Sequence, residues 1–207
     1  MAADPNEQHM KNLFSSEDKL VVKSAHKLGK AKNYSPAIVL ALIERLKRTS
    51  SSIYSSTHCS CSYNALNEIA IALVKCDSVQ GFEQLIKSYY EFTGVIGGQE
   101  SGNILLNALY KYPSPKAIDI LIKYADKESY QKSRNIFYAL KCVVEKCISD
   151  IPSGDLDRLA ELKDFSVTNY AKIAVSSDYG DEYEVIHMDC SGIRDAAKKE
   201  LSRRGEN

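Results

Sequence analysis

SPAIVLALIE at 35–44, SVQGFEQLIK at 78–87 and SPKAIDILIK at 114–123 are three copies of one phrase. Each opens on a serine. Each carries Leu-Ile seven and eight residues later (Leu42-Ile43, Leu85-Ile86, Leu121-Ile122) and then a charged residue (Glu44, Lys87, Lys123). The serines stand 43 and then 36 residues apart. A period in this range points to stacked helical hairpins, because one hairpin cannot bury its apolar face without a neighbour.

The phrase reads as a helix entry followed by one buried stripe. In Ser35-Pro36 and Ser114-Pro115 the serine oxygen can accept from an orphan N–H, and proline at the first helical position loses no hydrogen bond. Asp77-Ser78 caps without the proline. Apolar residues then recur at helical spacing. They are Ile38, Val39, Leu42, Ile43 and Leu46 in the first copy, and Phe82, Leu85, Ile86 and Tyr89 in the second. In the third they are Ala117, Ile118, Leu121, Ile122 and Ala125. A further helix precedes each copy, closing on Ala25-His26-Lys27-Leu28, Ala70-Ile71-Ala72-Leu73 and Leu106-Asn107-Ala108-Leu109. The unit is helix, short turn, Ser-capped helix. Residues 73–87 and 109–123 align without a gap.

Outward from these copies the pattern loosens. Residues 1–15 are polar and read as a loose lead-in. Ser16-Glu17-Asp18-Lys19 reads as a Ser16-capped helix start, with Leu20, Val21, Ala25 and Leu28 at helical spacing and Gly29 as a stop. A fourth unit has its first helix at 135–147, and Ser153 opens its second. A fifth has a first helix expected at 166–175 and a final helix from Ser191, with Lys198, Lys199, Arg203 and Arg204 near its C-terminus. The Ser/Thr-rich stretch 49–62 and the stretch 176–190 are expected as irregular insertions, and 91–103 as a glycine-rich turn. The expectation is all-α: an α-solenoid of about four to five helical hairpins, as one domain over residues 16–205.

AHKLGKAKNYSPAIVLALIERL (25–46), with its Ala-x-x-Leu-Gly ending, turn and apolar second helix, resembles the HEAT family of helical repeats and the related armadillo type. GIRDAAKKELSRRG (192–205) is similar to the Ile-Arg-x-x-Ala start of a HEAT first helix. The resemblance covers roughly residues 17–205 and is carried mainly by three units. It implies a right-handed superhelix whose second helices line a concave face. It implies no single activity, since function lives in sites grafted on folds. Two enzyme classes of HEAT-like architecture fit poorly. The di-iron hydroxylases need repeated His-Glu pairs, and the chain has none. The alkylpurine DNA glycosylases use aromatic residues, tryptophan among them, on a basic surface; tryptophan is absent and the net charge is zero.

Charge narrows the partners. Twenty-seven basic and 27 acidic residues cancel, unlike a protein whose main task is coating nucleic acid. Residues 1–50 carry a net +4 and residues 151–207 a net −4. No apolar run is long enough to span a membrane, and the first residues hold no apolar segment of the secretory kind. The cytoplasm, with Cys59, Cys61, Cys76, Cys142, Cys147 and Cys190 reduced, is the expected setting. No phosphate-loop, nucleophile-elbow or kinase pattern occurs, so the chain is expected not to be an enzyme and to hold no cofactor.

Individual constellations each carry a sharp and a plain reading. His58-Cys59-Ser60-Cys61 has soft metal ligands, but no second pair follows at finger spacing; two exposed thiols on a loop are the plain reading, and no metal is expected. Cys142 and Cys147 read as core or boundary residues, and His26 as solvated. DYGDEYE (178–184) lacks the spacing of a calcium loop. Tyr89, Tyr124 and Tyr138 suit interface anchors or core packing equally. Lys19, Lys23, Lys27 and Lys30 form a basic stripe that could contact phosphates; the solvated face of an edge helix in the array would look the same. Within the second helices, offset nine from each serine gives Glu44, Lys87 and Lys123, and offset thirteen gives Arg48, Glu91 and Lys127. Both offsets lie off the apolar stripe, so each set should form a row on the concave surface. The expected function is a non-catalytic protein–protein scaffold or adaptor using these rows; the alternative is a nucleic-acid-binding array using the lysine stripe.

Overall fold

The computed structural model describes residues 6–31, 34–55, 63–93, 99–125, 130–169 and 184–205. The described residues are mostly helical, as the 3.6-residue periodicity predicts. They fall into two compact units, 1–120 and 121–207.

In the first unit, α1 (Glu7–Asn12), α2 (Asp18–Leu28), α3 (Pro36–Ser55), α4 (Tyr63–Lys75), α5 (Val79–Thr93) and α6 (Gln99–Lys111) precede a short 3-10 turn at Pro115–Ala117. Helix α7 (Ile118–Ala125) carries the chain across the division. The first helices form one row, α2 against α4 and α4 against α6. The second helices α3 and α5 pack side by side, and α3–α4, α4–α5 and α5–α6 contacts join the two rows. All three serines cap as expected. Ser35 Oγ accepts from the Ile38 N–H (3.4 Å), Ser78 Oγ from Gly81 (3.0 Å) and Ser114 Oγ from Lys116 (3.2 Å). The stripe residues are buried in each copy, with Ile122 half-buried.

Successive copies are also joined at their entries. Asp77 stands in the left-handed region at φ 48°, which a short polar side chain tolerates better than most. Its carboxylate accepts from the Ser114 hydroxyl, and the Lys116 ammonium lies 2.6 Å from Oδ2 and 3.1 Å from the Asp77 carbonyl. The row of first helices depends on a close approach at Gly29. A Cβ there would lie 3.1 Å from both Cα and Cβ of Ala72. Gly29 is right-handed at φ −67°, so contact rather than backbone freedom requires glycine.

Several local expectations are corrected. The lead-in contains α1, which packs on α2 and α3 and delivers Leu13 into the core. The expected Ser16 cap does not form; α2 has no side-chain cap, and Ser15 Oγ accepts from the Glu17 N–H instead. The stretch 49–62 begins as helix, with α3 continuing to Ser55. Thr49 lies within it, its buried hydroxyl satisfied by donating to the Arg45 carbonyl at 3.0 Å, one turn back. Likewise α5 runs to Thr93 and α6 starts at Gln99, so both ends of the glycine-rich stretch 91–103 are helical.

In the second unit, α8 (Tyr130–Cys147), a 3-10 turn at Ile148–Asp150, α9 (Ser153–Ala160), β1 (Phe165–Asn169), β2 (Glu184–Met188) and α10 (Ser191–Arg204) follow α7. The helix expected at 166–175 is strand β1 where it is described. It pairs antiparallel with β2, Phe165 opposite Met188 and Asn169 opposite Glu184. The β-branched Val167 and Thr168 suit an extended backbone. Part of the expected insertion 176–190 is therefore β2. Helix α10 packs on α9 and α8, and α8 on the strands. The Phe137 and Phe165 rings meet edge to face at 6.1 Å.

Candidate functional site

The second-helix rows can be placed in large part. Glu44 and Arg48 are exposed on α3, and Lys87 and Glu91 on α5, the helix packed beside it. Glu44 and Arg48 pair along their own helix at 3.0 Å, and Lys87 pairs with Glu83 at 3.1 Å. Arg48 also places its guanidinium 4.7 Å from the Phe14 ring centroid, tying the lead-in to the end of this face. Lys123 is exposed on α7, its ammonium 5.7 Å from the Tyr124 ring; it belongs to the second unit. Lys127 lies outside the described residues.

One residue of this face escaped the sequence reading. Leu40, at offset five from Ser35, is 58% exposed. It lies one and two turns before Glu44 and Arg48, on the same helix face. A leucine four residues ahead of a predicted surface position was the available signal. Offset five in the second copy is Glu83. The exposed face thus carries two aliphatic side chains, Leu40 on α3 and the 54% exposed Val79 two turns before Lys87 on α5, beside the Glu44–Arg48 and Glu83–Lys87 pairs.

The lysine stripe is exposed at Lys19, Lys23, Lys27 and Lys30. None of the four ammonium groups forms an ion pair among the described residues. Lys19 and Lys23 line a cleft of about 530 Å³ between α2 and α4, faced by Asn64, Asn67 and Glu68, with Asp18 and Val22 completing its α2 wall. His26, expected as merely solvated, sets its Nδ1 3.0 Å from Glu68 Oε2 and so ties α2 to α4.

Two of the buried thiols are held in the protonated form. Burial pushes Cys76 up to about 12 and Cys190 up to about 11, so both are protonated near neutral pH. Cys142 is half-buried and Cys147 buried, as a core or boundary position requires. Tyr89 and Tyr124 are core residues, whereas Tyr138 is 45% exposed beside Arg134. His58, Cys59 and Cys61 lie outside the described residues, as do 178–183 of the acidic stretch. Among the described residues no group of three His, Cys, Asp or Glu side chains is placed to hold a metal ion.

In the second unit the charged residues act as fasteners. Arg194 donates to Asp164 (2.6 Å) and to the Leu162 carbonyl (2.9 Å), and the Cys190 N–H donates to Asp164 (2.9 Å). The Cys190 N–H first, and then Arg194, hold the Asp164 carboxyl below the usual range. Glu200 accepts from Arg203 and Arg204, which draw its carboxyl down to about 2. Arg204 also donates to the carbonyls of Ile148, Ser149 and Ile151. Ser166 Oγ and His187 Nδ1 are 2.9 Å apart, on residues that face each other across the two strands.

Among the described residues no helix is long and apolar enough to cross a membrane. No family model, no curated protein and no solved structure matches the chain.

Proposed function

We propose that the chain is a non-catalytic protein-binding scaffold, built as an α-solenoid of HEAT-like hairpins, that takes its partner on the exposed face of the second helices. One observation carries this reading. Helices α3 and α5 lie side by side with Leu40, Glu44, Arg48, Lys87 and Glu91 all exposed. The two rows of helices in the first unit support the solenoid, since stacked hairpins bury a continuous core between first-helix and second-helix layers. Leu40 supplies an apolar anchor, and the self-paired charges around it form a polar rim that excludes water at low cost. Affinity capture from cell extract with the full chain, compared with Leu40→Asp and Lys87→Glu, tests the reading. The partner is expected to be lost from both variants and retained by Lys141→Glu in the second unit. Equal recovery with all four proteins would refute it.

A second reading, nucleic-acid binding, draws on Lys19 and Lys23 at the α2–α4 cleft. Asp18 and Glu68 in the same cleft weigh against a continuous polyphosphate. Gel shifts at low salt with single- and double-stranded oligonucleotides test it, with no retention expected; retention that weakens steeply with salt would restore it.

A further inference from the structure

We propose that the cleft between the N-terminal halves of α2 and α4 is a binding site for a small phosphate monoester that also carries hydroxyl or amino groups. This goes beyond the protein-binding reading, because the site lies in the row of first helices and stands or falls independently of the second-helix face.

The site is assembled from two helices whose register is set elsewhere. Gly29 against Ala72 and His26 against Glu68 fix that register. Contacts advance in the same sense along both chains, so α2 and α4 run parallel with their N-terminal ends together. Lys19 and Lys23 lie in the first half of α2, Asn64 and Asn67 in the first half of α4, and all four line the cleft. Successive turns of one helix face are about 6 Å apart along the axis, so both ammonium groups can reach oxygens of one phosphate. The two carboxamides add neutral donors from the opposite wall. The N-terminal halves of two parallel helices add a field of the same sign.

Two observations separate this from an ordinary basic surface. The lysines spend no charge on a protein partner among the described residues. The cleft, at about 530 Å³, also falls within the roughly 300–1,000 Å³ typical of small-molecule sites. The carboxylates then define the rest of the ligand. Glu68 is turned toward His26 at 3.0 Å, and Asp18 opens the α2 wall beside Lys19. Acceptors so close to the ammonium groups repel a run of phosphates but accept from hydroxyl or amino groups of a compact ligand. Sugar phosphates and phosphoamino acids share this chemistry.

The test is a titration of the ¹⁵N-labelled full chain, followed by amide chemical shifts, with O-phosphoserine and glucose 6-phosphate. Serine and glucose serve as the unphosphorylated arms. Saturable shifts centred on the first halves of α2 and α4 are expected with one or both phosphorylated ligands and with neither unphosphorylated one; which of the two binds distinguishes the sources. Lys19→Ala and Lys23→Ala should each weaken binding about tenfold, the scale of losing one charge-assisted hydrogen bond. Lys141→Ala, in the second unit, should bind as wild type does. Binding of serine equal to that of phosphoserine would overturn the proposal. So would shifts centred away from α2 and α4, affinity unchanged in both alanine variants, inorganic phosphate binding as tightly as either ester, or no saturable shift with either ester.

Discussion

The hydroxyl of Ser114 donates to the carboxylate of Asp77, so the residue that caps the third copy is held by the residue beside the cap of the second. A capping serine that is 8% exposed thus performs two tasks, closing its own helix and registering it against the preceding one. Removing the carboxylate strands the buried hydroxyl and frees Lys116. Asp77→Ala is therefore expected to destabilise the chain by about 2 kcal/mol in chemical denaturation. Asp77→Asn keeps an acceptor and a residue tolerant of positive φ, and should cost about 0.5 kcal/mol, the worth of an exposed ion pair. Equal losses in the two variants would show that Ser114 draws nothing from Asp77.

Gly29 offers a sign test. In a right-handed backbone Gly→Ala would ordinarily stabilise by up to about 1 kcal/mol. Here the added methyl meets Ala72 at 3.1 Å. Gly29→Ala should instead destabilise by about 1 kcal/mol and Gly29→Val by about 3 kcal/mol, the range for overpacking. Ala72→Gly should lessen the first loss in a double-mutant cycle.

Glu200 makes the α10 fastening pH-dependent. Its folded carboxyl titrates near 2, below the ordinary value of 4.5, through the bonds from Arg203 and Arg204. A lowered pKa contributes stability that is complete above the unfolded value and is lost as pH falls through the folded one. The stability advantage of wild type over Glu200→Gln should be constant near neutral pH, shrink below about pH 4.5 and vanish near pH 2. Denaturation curves across that window provide the measurement.

Cys76 and Cys190 should resist alkylation. Both thiols are buried and pushed up to about 12 and about 11, so little thiolate forms at pH 8. Peptide mapping after brief iodoacetamide treatment should find both unmodified in the native chain and fully modified in denaturant.

What could be read from the sequence follows from what each pattern depends on. The capped second helices were legible because Ser35, Ser78 and Ser114 act on N–H groups two or three residues away, and because the stripe from Ile38 to Leu46 repeats. The β-hairpin was not, because Phe165–Asn169 is too short to separate strand from helix by period, and its partner lies at Glu184–Met188. The helical continuation past Thr49 was hidden by a Ser/Thr composition that also suits a loop. At the candidate sites, the exposure of Glu44, Arg48, Lys87 and Glu91 followed from their offsets. The α2–α4 cleft did not, since Lys19 and Asn64, far apart in sequence, are brought together by the packing of α2 on α4 at Gly29–Ala72 and His26–Glu68.

The proposed binding face is tested most directly by site-specific photo-crosslinking in cells. A photo-reactive amino acid is placed in turn at Leu40, at Lys87 and, as a control in the second unit, at Glu161. One and the same protein is expected to be crosslinked from positions 40 and 87 and to be absent from 161. The same protein captured equally from all three positions, or none captured from 40 and 87, would contradict it.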